Sequence, residues 1–347
     1  MPDVSWTKDT KDRRKFLRNV TICLGVLLTA GALEMLILAQ GPRSPVAPYE
    51  SDYLRGDAPA YHWTPMKRVV SALTDGTGVS MSIQRQRAVA SVLRLAGLLA
   101  LLVWAIREMG WVAGPAAFVI FVSLPPTLPV LTRLDPWMDS VCYSWIALLG
   151  WSLARVDVGG RGGIFVAGVL CGLAVDSKAT ALLTLAPASV MYGRRIALPA
   201  VGVFLLGVMG GMGLSAPAWL LHPSLLLAHL QYWQSVNAQL PALPVFFPWT
   251  ALGAGVPCVV WILAIYGACT LRRQTPIRTA GILFAVPVVF FMVYRSVPPE
   301  GVRHLYMALP FLSAVAASGW MRVNPPLKVL SVVAWLLELN WRVFTPP

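Results

Sequence analysis

Residues 163–192 read GIFVAGVLCGLAVDSKATALLTLAPASVMY. The run carries only two charges, Asp176 and Lys178, and both stand near its middle. Taken as one membrane span, it would strand them in mid-bilayer, where each charge costs about 2.5–3.5 kcal/mol on insertion scales. Taken as two pieces, 163–177 and 179–192, it turns at Asp176-Ser177-Lys178 and brings both to a membrane face. Each piece is shorter than the ~20 residues that span a bilayer. A broken, membrane-buried hairpin lining a wet cavity permits that.

The same choice orients everything downstream. With two pieces, Arg194, Arg195, Arg272, Arg273, Arg278, Arg322 and Lys328 are cytoplasmic, and on the later loops only Arg295 and Arg303 lie outside. With one piece the split inverts. Basic residues collect in cytoplasmic loops, so the two-piece reading is preferred.

The rest of the chain fits that frame. It is 57% hydrophobic and 12% charged over 347 residues, whereas soluble domains carry about 25% charged residues. Such a chain cannot keep its surface in water and reads as an all-α, polytopic helical membrane protein. Its net charge of +13 reflects loop topology rather than affinity for nucleic acid. The expected spans, about 11 transmembrane or half-membrane helices, are 19–40, 88–106, 111–132, 138–154, 163–177, 179–192, 197–221, 249–271, 279–294, 305–320 and 327–341. Trp104, Trp111, Trp151, Trp219, Trp249 and Trp320 mark span ends, as an interfacial belt requires. The basic segment 1–18 precedes an apolar stretch without a convincing cleavage site, so 19–40 reads as an uncleaved span with a cytoplasmic N-terminus. The five cysteines form no CxxC or CxxH pair, which supports neither a disulfide framework nor a thiolate zinc site. The whole chain, 1–347, reads as a single membrane domain with two long outer loops, 41–87 and 222–248, and no soluble C-terminal domain.

On this topology Glu50, Asp52, Asp57, Asp75, Asp135, Asp139, Glu300 and all four histidines face outward. Polar groups crowded on one face point to an enzyme acting there on a lipid-linked substrate. Asp52 or Asp57 could serve as a general base; the plain alternative is a solvated acidic loop. In the segment RLDPWMD, residues 133–139, Asp135 before Pro136 reads as a helix start. Asp139, one turn further in, faces a cavity more readily than lipid. Lys178 at the break suits a phosphate, against the plainer internal pair with Asp176. Arg303 can grip phosphate in bidentate fashion or simply snorkel to headgroups. Glu34, Arg94 and Glu338 inside apolar segments find no assignment. Walker, GxGxxG, HExxH and GxSxG motifs are absent, which removes the nucleotide-fold, zincin and serine-hydrolase readings.

Five motifs, in order, resemble a known family. They are the acidic YESDY at 49–53 with Asp57, HWTP at 62–65, RAVAS at 87–91, GVLCGLAVDSKA at 168–179 and RHLYMALPF at 303–311. The pattern resembles the GT-C membrane glycosyltransferases, specifically the bacterial relatives of protein O-mannosyltransferases and lipid A aminoarabinose transferases. The resemblance covers roughly residues 19–320. It departs from the family in lacking the usual Asp-Glu pair in the first loop, which leaves Asp52 and Asp57 as alternative bases.

The resemblance implies an inverting sugar transfer from a polyprenyl-phosphate donor to a lipid, glycan or protein acceptor, at the outer face of a bacterial inner membrane. It implies Asp52, Asp57 and Asp139 as catalytic residues, and Glu50, Arg133, Lys178, Arg303, His304 and Tyr306 as substrate-binding ones. No metal site is assigned; a divalent cation is compatible with the acidic set. The main alternative is a membrane transporter or lipid-linked-sugar flippase, since broken helices and buried charges suit transporters as well. That alternative predicts polar groups on both sides of a midplane site rather than on one face. A non-catalytic membrane scaffold is a third reading, and the polar crowding argues against it.

Overall fold

The computed structural model describes residues 79–124, 136–154, 160–177, 179–193, 198–215, scattered positions from 224 to 239, 243–294 and 305–344. Among them are eleven α-helices and no strand. They are α1 (Val79–Met109), α2 (Ala113–Ser123), α3 (Pro136–Ala154), α4 (Gly160–Ser177), α5 (Leu182–Gly193), α6 (Leu198–Ser215), α7 (Phe247–Gly255), α8 (Cys258–Leu271), α9 (Thr275–Val293), α10 (Leu309–Arg322) and α11 (Pro325–Phe344). Short 3-10 turns, Ala179–Ala181 and Tyr306–Ala308, lead into α5 and α10. Proline stands in the first turn of α7, α9 and α10, where its missing N–H has no intrahelical partner to lose.

The expected spans at 88–106, 138–154, 163–177, 179–192, 279–294, 305–320 and 327–341 each fall on a helix. The span at 19–40 lies outside the described residues, as do 125–132 and 216–221 at the ends of two others. The span expected at 249–271 departs from the reading. It is two helices, α7 and α8, bent by 116°. The cause is local: Gly253, Gly255 and Pro257 cluster at the break, and proline removes a helix hydrogen bond while glycine resists none of the bending. Of the described helices, α9 alone is long and apolar enough to cross a membrane by itself, and α7 with α8 passes together. Others are short apolar pieces, such as Arg161–Val175 and Leu182–Tyr192, as a broken hairpin requires.

Helix α10 is the innermost, buried without interruption from Leu309 to Gly319, and packs on α2, α8 and α9. Two close glycine contacts knit the bundle. Gly168 and Gly172 of α4 face Gly207 and Gly211 of α6; a Cβ at Gly172 would stand 2.9 Å from Met212 N and 3.1 Å from Gly211 Cα. Lipid offers no hydrophobic drive between helices, so close backbone packing through small residues takes over. Outward faces carry exposed Leu206, Ile262, Ile265, Val293 and Leu337, a surface suited to acyl chains and not to water.

Contacts fix the directions of the first helices. α2 folds back on α1, with Gly114 against the Ile106 backbone. Phe121, two turns along α2, therefore lies near Ala100 of α1, and it meets Trp145 of α3 edge-on with centroids 5.5 Å apart. Gly97 abuts Cys142, so closely that a Cβ there would come within 2.8 Å of Cys142 Cβ. Three residues thus separate the two matched levels on both helices, and α1 and α3 run parallel.

One unassigned acid finds its role here. Glu338 of α11 accepts a hydrogen bond from the Cys258 N–H at 2.8 Å. It caps the first turn of α8, which Pro257 cannot cap with a side-chain oxygen.

Candidate functional site

Helix α3 positions the site. It begins at Pro136, and Ser140 Oγ in the second turn donates to the Ala174 carbonyl of α4 at 2.7 Å. At the other end Gly150 meets Ala167, so α4 runs antiparallel to α3. The chain then reverses. Ala181 and Thr184 stand beside Ser140 and Ser144. Eight residues on, the Tyr192 hydroxyl accepts from Trp104 Nε1 at 3.0 Å, two turns beyond the Gly97–Cys142 contact. Helices α4 and α5 are therefore two legs of a hairpin that breaks between Ser177 and Ala179, in the region the charge argument selects.

A narrow crevice, closed to a water-sized molecule as packed, lies at this end, lined by Ser140, Val141, Ser144, Trp145, Ala181, Thr184 and Met307. Three helical elements from distant parts of the chain supply it: α3, the 3-10 turn with α5, and the 3-10 turn before α10. Its polar lining is Ser140, Ser144 and Thr184, all at most 3% exposed. Ser144 Oγ donates back to the Ser140 carbonyl at 2.8 Å.

Three of the predicted segments adjoin this lining in sequence. Asp139 immediately precedes Ser140 in α3, Lys178 falls three positions before Ala181, and Tyr306 immediately precedes Met307. The backbones of Asp139 and Tyr306 are described, within α3 and the Tyr306–Ala308 turn. Glu50, Asp52, Asp57, Arg133, Lys178, Arg303 and His304 lie outside the described residues. Among the described residues no group of three or more His, Cys, Asp or Glu stands together. Sequence reasoning missed the hydroxyl lining. The signal was the spacing of Ser140 and Ser144, four residues apart and so on one helical face. It also left Arg94 unassigned, and that residue is 0% exposed.

No family model and no curated protein matches the chain. Among similar solved structures are two of one protein. The crystal structure of ArnT from Cupriavidus metallidurans bound to undecaprenyl phosphate superposes with a TM-score of 0.66 at 18% identity, covering 90% of this chain and 63% of that one. The same protein in its apo state gives a TM-score of 0.59 at 17% identity, covering 80% of this chain and 52% of that one. The chain thus spans less than two thirds of the ArnT chain. Over 90% of its own length the chain shares the all-helical fold of that ArnT structure.

Proposed function

We propose that the protein is an integral-membrane glycosyltransferase that moves a sugar from a polyprenyl-phosphate donor to an extracytoplasmic acceptor, with inversion. The observation that carries this reading is the convergence of α3, the 179–181 turn with α5, and the 306–308 turn on one hydroxyl-lined crevice, within a fold shared with a protein crystallised with undecaprenyl phosphate. Residues 1–347 act as one membrane domain in the bacterial inner membrane, with a cytoplasmic N-terminus and the crevice facing out. Its acceptor is a lipid, a glycan or a protein.

In the reaction, the acceptor hydroxyl oxygen attacks the anomeric carbon as its proton passes to a carboxylate. Asp52 is the base, with Asp57 second. The bond from the anomeric carbon to the donor phosphate oxygen breaks, and the polyprenyl phosphate departs with that electron pair. Lys178 and Arg303 stabilise the charge growing on the phosphate. Asp139, beside Ser140, positions the sugar or the acceptor. Glu50, Arg133, His304 and Tyr306 complete the binding surface.

The test is transfer by purified protein in detergent, supplied with defined polyprenyl-phosphate sugars. Mass spectrometry of envelope glycolipids and glycoproteins, with and without the gene, supplies the acceptor. Transfer that depends on Asp52 supports the reading. Unchanged envelope glycans, together with no turnover of any donor, would refute it.

A further inference from the structure

The end of the bundle opposite the crevice is basic, and the helix register shows why. Lys328 Nζ lies over the Trp320 ring, 5.4 Å from its centroid, so the chain reverses after α10 and α11 runs back along it. Ten residues further, about 15 Å along α11, Glu338 meets the first turn of α8 at Cys258. That level on α10 is Pro310. A Cβ at Gly267 of α8 would stand 3.0 Å from Gly319 N of α10. Nine residues separate Cys258 from Gly267 and Pro310 from Gly319, so α8 and α10 run parallel and end together. Ser318 Oγ lies 3.6 Å from Met109 Sδ, which brings the last turn of α1 to the same place. Met307, on the crevice, precedes α10, so α10 puts roughly 20 Å between the two ends.

This register gathers Arg107 in the last turn of α1, Arg272 and Arg273 just past α8, and Arg278 in the first turn of α9. Arg322 at the end of α10 and Lys328 in the first turn of α11 join them. The five arginines are exposed and Lys328 is half-buried; Glu108 is the one acid among the described residues of these turns. Two features distinguish the patch from a solvated face. Exposed Ile265 of α8 and Val329 and Leu330 of α11 lie within two turns of it, so the cations stand where acyl chains give way to headgroups. Beside Lys328, Trp320 Nε1 is buried with no hydrogen-bond partner, whereas a buried indole N–H ordinarily has an acceptor. An anionic oxygen satisfies that donor and the surrounding cations together, and a phosphodiester supplies one. From this juxtaposition we propose that the ends of α8, α9, α10 and α11 bind an anionic phospholipid. Its phosphate lies among Arg272, Arg322, Lys328 and the Trp320 N–H, and its acyl chains run along the exposed apolar faces of α8 and α11. The site is remote from the crevice and does not depend on the proposed sugar transfer.

The test uses the full chain in detergent, titrated separately with phosphatidylglycerol, phosphatidylcholine and inorganic phosphate, and read by thermal melting and native mass spectrometry. Phosphatidylglycerol should raise the melting temperature and be retained on the protein, less so at high salt. Phosphatidylcholine and inorganic phosphate should do neither. Arg272→Gln/Arg322→Gln removes two exposed charges without touching the core, and should weaken phosphatidylglycerol binding roughly 10- to 30-fold. Trp320→Phe keeps an aromatic ring under Lys328 and deletes the N–H; it should weaken binding roughly tenfold. Arg161→Gln is the control, because Arg161 is exposed at the same end on α4, which packs on α3 and α6 instead; it should bind as wild type. Wild-type affinity in the double variant would overturn the site. So would an Arg161→Gln loss equal to that of the double variant, which is diffuse attraction to the whole face. Stabilisation by inorganic phosphate or phosphatidylcholine equal to that by phosphatidylglycerol would overturn the anionic lipid as its occupant.

Discussion

Replacing Gly172 by alanine should both loosen the bundle and slow the reaction. A methyl group there would stand 2.9 Å from Met212 N and 3.1 Å from Gly211 Cα, with the Val208 carbonyl oxygen nearer still, where ordinary contact begins at 3.4 Å. The obstacles are backbone atoms of α6, which cannot rotate away. α4 and α6 must separate by roughly an ångström, and overpacking of that kind costs about 1–3 kcal/mol. Gly172 lies only a turn and a half from the 176–178 break, so the hairpin tip moves with it. A displacement of about 1 Å in a positioning element can cost around 10²-fold in rate. Gly210→Ala on α6 is the control, since nothing lies within 4 Å of a Cβ there. The assays are thermal melting in detergent and transfer at saturating donor. The expected result is a lower melting temperature and lower kcat for Gly172→Ala, and wild-type values for Gly210→Ala. Equal melting for the two variants would refute the close-packing argument. A destabilised Gly172→Ala with wild-type kcat would disconnect the α4–α6 seam from the site.

Three further predictions address the chemistry and the topology. Asp52→Asn should abolish transfer with the fold intact, because an amide keeps the shape but cannot take a proton, and Asp57→Asn should be milder; wild-type rates in both would remove the base from this loop. Lys178→Ala and Arg303→Ala should each weaken transfer by roughly 10- to 150-fold at sub-saturating donor, the value of one charge-assisted phosphate contact of about 1.5–3 kcal/mol. Lys178→Arg should retain more activity than Lys178→Ala, and an alanine variant equal to wild type would rule that contact out. Cysteine labelling from outside should modify a cysteine placed at Ser51 and spare one placed at Arg194; the reverse pattern would invert the orientation.

Hydrophobic patterning and the charge count were enough to reveal the helical membrane architecture, because a bilayer forbids unsatisfied backbone and penalises buried charge. The break at Asp176-Ser177-Lys178 was legible for the same reason: two charges in an apolar run leave few places to turn. Motif order at 49–57, 62–65, 87–91, 168–179 and 303–311 carried the family resemblance. What the sequence alone could not yield depended on neighbours far apart in the chain. The break at Pro257 was masked by a hydropathy window that runs smoothly across it. Glu338 looked stranded until α11 was seen to bring it to the bare N-terminus of α8. Ser140, Ser144 and Thr184 are ordinary residues of apolar helices, and become a polar lining only where α3, α5 and the 306–308 turn meet. Arg272, Arg322 and Lys328 share a membrane face by sequence. Their meeting at one corner of it is fixed by the Gly267–Gly319 contact, because helix register is set by which small residues let two backbones touch, and only the packed bundle shows which ones do.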